Sequence, residues 1–261
     1  MKAADITEDQ EDLNHGEADV RPVIVIEHLY KKFGDLVVLD DFNLVVKREE
    51  NVVVLGKSGS GKSVLIKCII GLLKPDKGNI LVFDQNIPLL GHDDLDRVRT
   101  KVGFLFQGNA LYDSMTVREN LEFPLRRHWI DFSQQKVDEL VMEALNNVGL
   151  PHTVDMMPAE LSGGMLKRVA LARTLILKPE IILYDEPTTG LDPVTAREID
   201  NLIIRLQKKY HTTSIIISHD MNCVKNTADR VVLLSGGKCY AQGTYPDFEA
   251  SADENIKQFF E

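Results

Sequence analysis

The chain has 261 residues, 44% of them hydrophobic, and carries 40 acidic against 30 basic side chains for a formal net charge of -10. That is apolar matter for one large globular domain or a domain with a small insertion, and an acidic balance argues against general nucleic-acid binding, which needs basic surface to meet phosphates. No apolar run reaches the roughly 18 residues that span a bilayer, and Cys68, Cys223 and Cys239 lie too far apart for a metal spacing and leave an odd thiol, which fits a reducing cytoplasm.

Residues 1–21 hold Asp5, Glu8, Asp9, Glu11, Asp12, Glu17 and Asp19 against Lys2 and Arg21, so half of the net charge sits there. With few apolar residues this stretch is expected to be a disordered acidic tail. It lacks the basic start and apolar run of a signal peptide. Short runs rich in branched residues then predict strands at Val23–Ile26, Phe42–Val46 and Asn51–Leu55. Gly56 opens a turn, Ser63–Ile70 reads as a helix, and Asn79–Phe83 and Val102–Phe106 read as further strands. Val137, Leu140, Val141, Ala144, Leu145 and Val148 recur at helical spacing. From Thr116 to about Leu177 the pattern is mainly helical, punctuated by Pro124, Pro151 and Pro158. Strand and helix then alternate again: Glu180–Tyr184, Val194–Tyr210, Thr213–Ile217 and Met221–Thr227. Val231–Leu234 and Lys238–Gln242 form an expected hairpin around Gly236-Gly237. Uninterrupted apolar strands suit a parallel sheet covered on both faces. The expected fold class is therefore α/β, its core split by a helical insertion, with no internal repeat and no long linker.

Gly56-Lys57-Ser58-Gly59-Ser60-Gly61-Lys62-Ser63 follows an apolar strand and opens a helix, the setting in which a Walker A phosphate loop is credible. Glycines let backbone N–H groups turn inward around phosphate oxygens, and a helix start offers unpaired N–H groups and partial positive charge. A flexible linker has neither the flanking strand nor the periodic helix. Lys62 is expected to bridge the β- and γ-phosphates and Ser63 to ligate Mg2+. Ile181-Ile182-Leu183-Tyr184 ends in Asp185-Glu186, placing two carboxylates at the end of a buried strand, where open parallel sheets bind ligands. Asp185 is expected to hold Mg2+ and Glu186 to orient and deprotonate a water. Leu161-Ser162-Gly163-Gly164 precedes another amphipathic run and so marks a second helix N-terminus. By itself that is a simple helix cap. If it faces away from the first, two chains placed head to tail complete each other.

These motifs, in order, resemble the ABC ATPase family over about Val23 to Gly243, with Gln107 after Phe106, Gly190-Leu191-Asp192, and His219 in Ser218-His219-Asp220. The resemblance implies a P-loop NTPase core (22–243) with an N-terminal antiparallel β subdomain, an inserted α-helical subdomain (about 108–177) and a C-terminal helical extension (244–261). It implies ATP hydrolysis coupled to transmembrane transport, with Mg2+ held by Ser63, Gln107 and Asp185. Phe33, with Tyr30 as the alternative, stacks on adenine; residues 56 to 63 with Val64 surround the phosphates; Ser162, Gly163 and Gly164 bind the γ-phosphate on the opposite chain. Glu186, His219, Gln107 and Lys62 form the catalytic set, and Asp192 lies near the dimer seam. Met165 departs from the family, which places Gln there, so roles of that amide do not carry over.

Gly103 to Ser114, Met157 to Met165 and Ile256 to Phe260 resemble the Mla-type, MCE-linked lipid transporters more closely. That likeness implies phospholipid traffic between inner and outer membranes, from the cytoplasmic face of the inner membrane. Its partners are a second copy of the chain, a multispanning permease, a periplasmic MCE-domain protein and a small STAS-domain subunit, and no nucleic acid. An ABC ATPase for another substrate such as amino acids, and a soluble ABC-type ATPase acting on DNA or ribosomes, are the alternatives. The expected permease contact follows Gln107, near Leu111 to Met115, and helix 136–149 is expected to face the core.

Overall fold

Alternating and continuous apolar runs build two different sheets. The computed structural model describes residues 22–127 and 132–260, so the expected acidic tail lies outside the described residues. In chain order the elements are β1 (Pro22–Phe33), β2 (Leu36–Lys47), β3 (Asn51–Leu55), α1 (Lys62–Ile69), β4 (Lys77–Val82), the short β5 (Gln85–Asn86), α2 (His92–Thr100), β6 (Val102–Leu105), α3 (Val117–Arg127) and α4 (Gln134–Asn147). There follow α5 (Gly163–Leu175), β7 (Ile181–Asp185), α6 (Pro193–Tyr210), β8 (Thr213–Ser218), α7 (Met221–Thr227), β9 (Arg230–Ser235), β10 (Lys238–Gly243), α8 (Tyr245–Glu249) and α9 (Glu254–Lys257).

The first sheet runs β2-β1-β4-β5 and is antiparallel. Its long strands extend well past the short apolar runs at Val23–Ile26 and Phe42–Val46, because backbone pairing carries the polar residues between them. Register shifts in β1 coincide with His28 at φ 51, and Asp41 at φ 59 interrupts β2; such bulges add twist where one face must wrap a core. The second sheet runs β10-β9-β3-β8-β7-β6, with β9, β3, β8, β7 and β6 parallel and β10 antiparallel at the edge. Gly236 and Gly237, at φ 58 and 76, make the two-residue turn between β9 and β10 that a hairpin of this hand requires.

Every residue of β3, β7 and β8 is buried. Period-two geometry divides them: Val53, Leu55, Ile182, Tyr184 and Ile216 face one apolar layer, and Val52, Val54, Ile181, Leu183, Ile215 and Ile217 face the other. The first layer is closed by α3 to α7 and by Phe248, Ile256, Phe259 and Phe260 at the C-terminus; the second is closed by α1 and the antiparallel sheet. Pro124 does not break the helical region as expected. It lies inside α3, which is anchored by buried Val117, Leu121 and Leu125, and that burial outweighs one missing backbone bond. The segment α2, with buried Val98 facing the core, had no sequence expectation because six of its nine residues are charged or His. No helix of the described residues is long and apolar enough to cross a membrane.

Candidate functional site

The C-terminal ends of β3, β8, β7 and β6 are neighbours, and each releases one piece of a single cleft. The 56–63 turn follows β3, His219 follows β8, Asp185 and Glu186 end β7, and Gln107 comes two residues after β6. Phe33, Ser58, Gly59, Gly61, Lys62, Ser63, Val64, Gln107, Glu186 and His219 line a cleft of about 480 Å³, together with Val38. Phe33 is 47% exposed at its mouth. Tyr30 is not among the lining residues and instead lies under Lys77, 5.6 Å from the ring centre, which separates the two aromatic candidates.

The turn is shaped by its glycines and by Lys62. Gly61 has φ 104, and a Cβ there would come within 2.8 Å of the Val38 side chain and 3.0 Å of its carbonyl oxygen. It caps α1 without a side-chain hydrogen bond, and no acidic residue occupies the first turn, so the helix start keeps N–H groups free for an anion. The Lys62 ammonium donates to the Gly56 carbonyl at 2.7 Å and to the Lys57 carbonyl at 3.1 Å, which curls the loop around it. Burial pushes its pKa down, while the carboxylates of Glu186 and Asp185 resist that fall. Glu186 Oε1 stands 3.9 Å away. Three expected ligands sit differently. Gly56 offers its carbonyl to Lys62 and is itself buried. Lys57 and Ser60 line a smaller cavity of about 170 Å³ behind the loop, beside Asn255, Gln258 and Phe259, and the Ser60 N–H is donated to the Lys57 carbonyl. Neither is among the residues that line the larger cleft.

Ser63 Oγ donates to Asp185 Oδ1 at 2.9 Å, joining the helix start to the end of β7. Burial pushes the Asp185 carboxyl up, against the Ser63 hydrogen bond and the charges of Lys67 and Lys62. A hydroxyl and a carboxylate are hard oxygen donors of the kind that suits a small divalent cation, and a cation there would relieve the cost of burying that carboxylate. Glu186 adopts φ 53, a left-handed conformation that is unfavourable for a non-glycine residue and is found at functional turns. Its N–H donates to the Ile217 carbonyl at 3.0 Å, and Thr189 Oγ1 donates to Oε2 at 2.9 Å. His219 Nδ1 lies 2.6 Å from the same Oε2. The carboxylate is thus held from two sides while its side chain is only 11% exposed.

Ser162, Gly163 and Gly164 are not in this cleft. They form a second one of about 450 Å³ with Met165, Arg168, Gly190, Leu191, Asp192, Thr195 and Glu198. Ser162 caps α5 by accepting from the Met165 N–H at 3.3 Å. Asp192 caps α6, accepting from Val194 and Thr195 N–H at 3.0 Å each. A Cβ on Gly164 would come within 2.7 Å of Thr195 Cγ2, whereas one on Gly163 meets only Leu191, at 4.0 Å. Arg168 pairs with Glu198 at the rim. The residues that sequence reasoning missed are Thr189 and Val38. Neither carries a local signal, since a threonine in a turn and a valine in a half-buried strand are ordinary; only their meeting with Glu186 and Gly61 singles them out.

A glycine-turn cradle at the carboxyl edge of a parallel sheet, facing a strand-end carboxylate pair, defines a P-loop nucleotide-binding domain. The family described as "ABC transporter" matches residues 39–189. The chain is 39% identical over 237 residues to the intermembrane phospholipid transport system ATP-binding protein MlaF of Haemophilus influenzae, covering 91% of this chain and 89% of that protein. It is 35% identical over 239 residues to the methionine import ATP-binding protein MetN of Clostridium tetani, covering 92% of this chain and 74% of that one. Among solved structures, the dimeric post-hydrolysis state of the ATP-binding cassette MJ0796 with ADP and phosphate superposes with a TM-score of 0.78 at 31% identity, over 85% of this chain and 98% of that one. The chain belongs to the ABC transporter family and is its ATP-binding, ATP-hydrolysing subunit.

Proposed function

We propose that the chain powers phospholipid transport between the inner and outer membranes of a double-membraned bacterium, from the cytoplasmic face of the inner membrane. It does so as a head-to-tail homodimer docked on a multispanning permease, with a periplasmic MCE-domain protein and a small STAS-domain subunit as further partners. The observation that carries the dimer is the separation of the two clefts: Lys62 and its glycine turn line one, and the Ser162–Gly164 helix start lines the other. The lipid reading is supported by the likeness to MlaF over most of both chains and by Met165, which replaces the Gln usual in the family. The likeness to MetN supports amino-acid import as the second reading.

In this reading the cassette spans 22–243, the helical subdomain about 108–177 and the C-terminal extension 244–261. Lys62 and the 58–64 backbone hold the phosphates, and Phe33 stacks on adenine. Ser63, Asp185 and Gln107 would hold Mg2+, which would supply charge to neutralise the phosphates. Glu186 takes the proton of the attacking water, its carboxylate held in place by His219 and Thr189. Ser162, Gly163 and Gly164 of the opposite chain complete the donors around the γ-phosphate. Hydrolysis removes the ligand that bridges the two chains, and the difference in nucleotide affinity between closed and open dimer drives the permease.

The test is purification of the chain with its membrane partners from detergent extract and reconstitution into vesicles. ATP-dependent movement of a fluorescent phospholipid is the expected result. ATP-dependent methionine uptake with no lipid movement favours the second reading, and recovery with ribosomes or DNA instead of a permease sinks both.

A further inference from the structure

The helix α5 begins at the second cleft and runs back beside the segment that starts at Gln107. Two of its cations reach that segment. Lys167, 3% exposed, donates from Nζ to the main-chain carbonyl of Gln107 at 2.9 Å. Arg173 donates to the carbonyls of Ala110 at 2.7 Å and Asn109 at 3.0 Å. Asn109 and Ala110 have φ 62 and 55, so two successive non-glycine residues are held in the left-handed region, an arrangement that persists only where its surroundings over-determine it. Among the described residues neither cation has a carboxylate within ion-pair distance. A buried ammonium with only a carbonyl partner is costly. Packing alone does not account for either cation, since a leucine or methionine would fill the space beside Gln107 without that cost.

We infer that Lys167 is a positioning residue that, with Arg173, ties the helix bearing one ATP half-site to the glutamine of the other. The inference rests on the two-half-site reading above. Ser162–Gly164 of one chain would engage the nucleotide held by its partner, while Gln107 lines this chain's own cleft. A helix is stiff over this distance: Lys167 lies five residues beyond Ser162, about 7.5 Å along the axis. Movement of the α5 start towards the partner's phosphate therefore carries the Lys167 ammonium, and the Gln107 carbonyl follows it. Each occupied second cleft thereby sets Gln107 in a first cleft, and the two ATP sites of the dimer become positively coupled.

The test compares the wild-type chain with K167M, which keeps length but loses charge and donor, and K167Q, which keeps a donor. The readouts are kcat, KM and the Hill coefficient for ATP hydrolysis, the nucleotide Kd of the separated chain, and the thermal midpoint. K167M is expected to lose about tenfold in kcat, the scale of a small misplacement of a reacting group. Its Hill coefficient falls towards about one, the value of independent sites, while Kd is unchanged, and K167Q recovers part of both losses. Wild-type kcat and Hill coefficient in K167M overturn the inference. So does a parallel loss of Kd and thermal midpoint that K167Q does not repair, since that is a packing effect. If K167M does not fold, R173M is measured in its place: a fall in kcat and Hill coefficient at constant Kd supports the link, and wild-type values overturn it. A wild-type chain that hydrolyses ATP as a monomer overturns the half-site reading and the link with it, whereas a cooperative wild type with an unaffected K167M overturns the link alone.

Discussion

The two clefts differ in how much of their chemistry they complete within one chain. In the first, Lys62 is held by two carbonyls, Ser63 by Asp185, and Glu186 by Thr189 and His219, so the polar groups are pre-aimed before any ligand arrives. In the second, the α5 start has one weak side-chain cap from Ser162, a glycine whose added Cβ would meet only Leu191, and an ion pair between Arg168 and Glu198. On the proposed reading, the first works on its own ligand and the second completes the partner's. Preorganisation belongs where charge develops, and openness belongs where a partner must dock and leave.

Four changes would break or sharpen that contrast. The largest effect is expected of Glu186→Gln, which removes the proposed base yet keeps the shape. Hydrolysis should drop by about 10²–10⁴-fold, the range for loss of a general base, while ATP still binds and a closed dimer accumulates, as seen by size-exclusion chromatography with ATP. Next is Gly163→Glu. Little packs against a Cβ at this position, so the fold and the first cleft should survive, but in the proposed dimer a carboxylate would face the partner's γ-phosphate. Equilibrium titration should find ATP bound normally by the separated chain, with ATP-driven dimerisation gone and hydrolysis down by about 10²-fold, as for loss of a donor group around a transition state. A variant that still hydrolyses at full rate would erase the distinction between the clefts. Lys62→Ala should act in the opposite sense, weakening nucleotide affinity by about 10–100-fold, the worth of one charge-assisted hydrogen bond, and leaving the second cleft's surface intact.

The smallest effect serves as the control remote from both clefts. Glu50 accepts from Arg230 at 2.7 and 3.0 Å, and Arg230 also reaches the Val45 carbonyl and Gln242. Burial raises the Glu50 pKa, but the Arg230 and Lys47 hydrogen bonds outweigh it and the net shift is downward. A depressed carboxylate stabilises the fold above its unfolded pKa, and that stability is lost as pH falls through the folded value. Glu50→Gln should therefore cost about 1 kcal/mol at neutral pH, scaled for a partly buried pair. The deficit should shrink to nothing in acid below the usual glutamate range, as read by denaturant melts, with ATP affinity of the first cleft unchanged at neutral pH.

The parallel sheet was legible because its strands are continuous apolar runs. Glu186 and Lys62 were legible because one closes an apolar strand with a charge and the other ends a glycine turn at a helix start, placements that packing by itself disfavours. The hairpin around Gly236-Gly237 was legible from its local turn chemistry. Other features were not. The helix α2 is too charged to show periodicity, Pro124 reads as a break although burial of its neighbours keeps α3 whole, and Thr189, Lys167 and Arg173 look like ordinary turn and surface residues. Lys57 and Ser60 lie within the glycine motif, yet they line the smaller cavity beside Gln258 and Phe259 and not the larger cleft.

By itself the order of residues determined which groups are present and where strands, turns and helix starts fall, because period, glycine and capping act over a few neighbours. It also placed a glycine turn of the phosphate-loop pattern between an apolar strand and a helix start. Only the tertiary structure decided which of those groups meet: that β3, β8, β7 and β6 lie side by side and bring Lys62, His219, Glu186 and Gln107 to one edge, and that Ser162–Gly164 opens elsewhere. The reason is physical. Sheet order and helix docking are set by burial of surfaces far apart in the chain, and no local pattern encodes which distant surface will cover which.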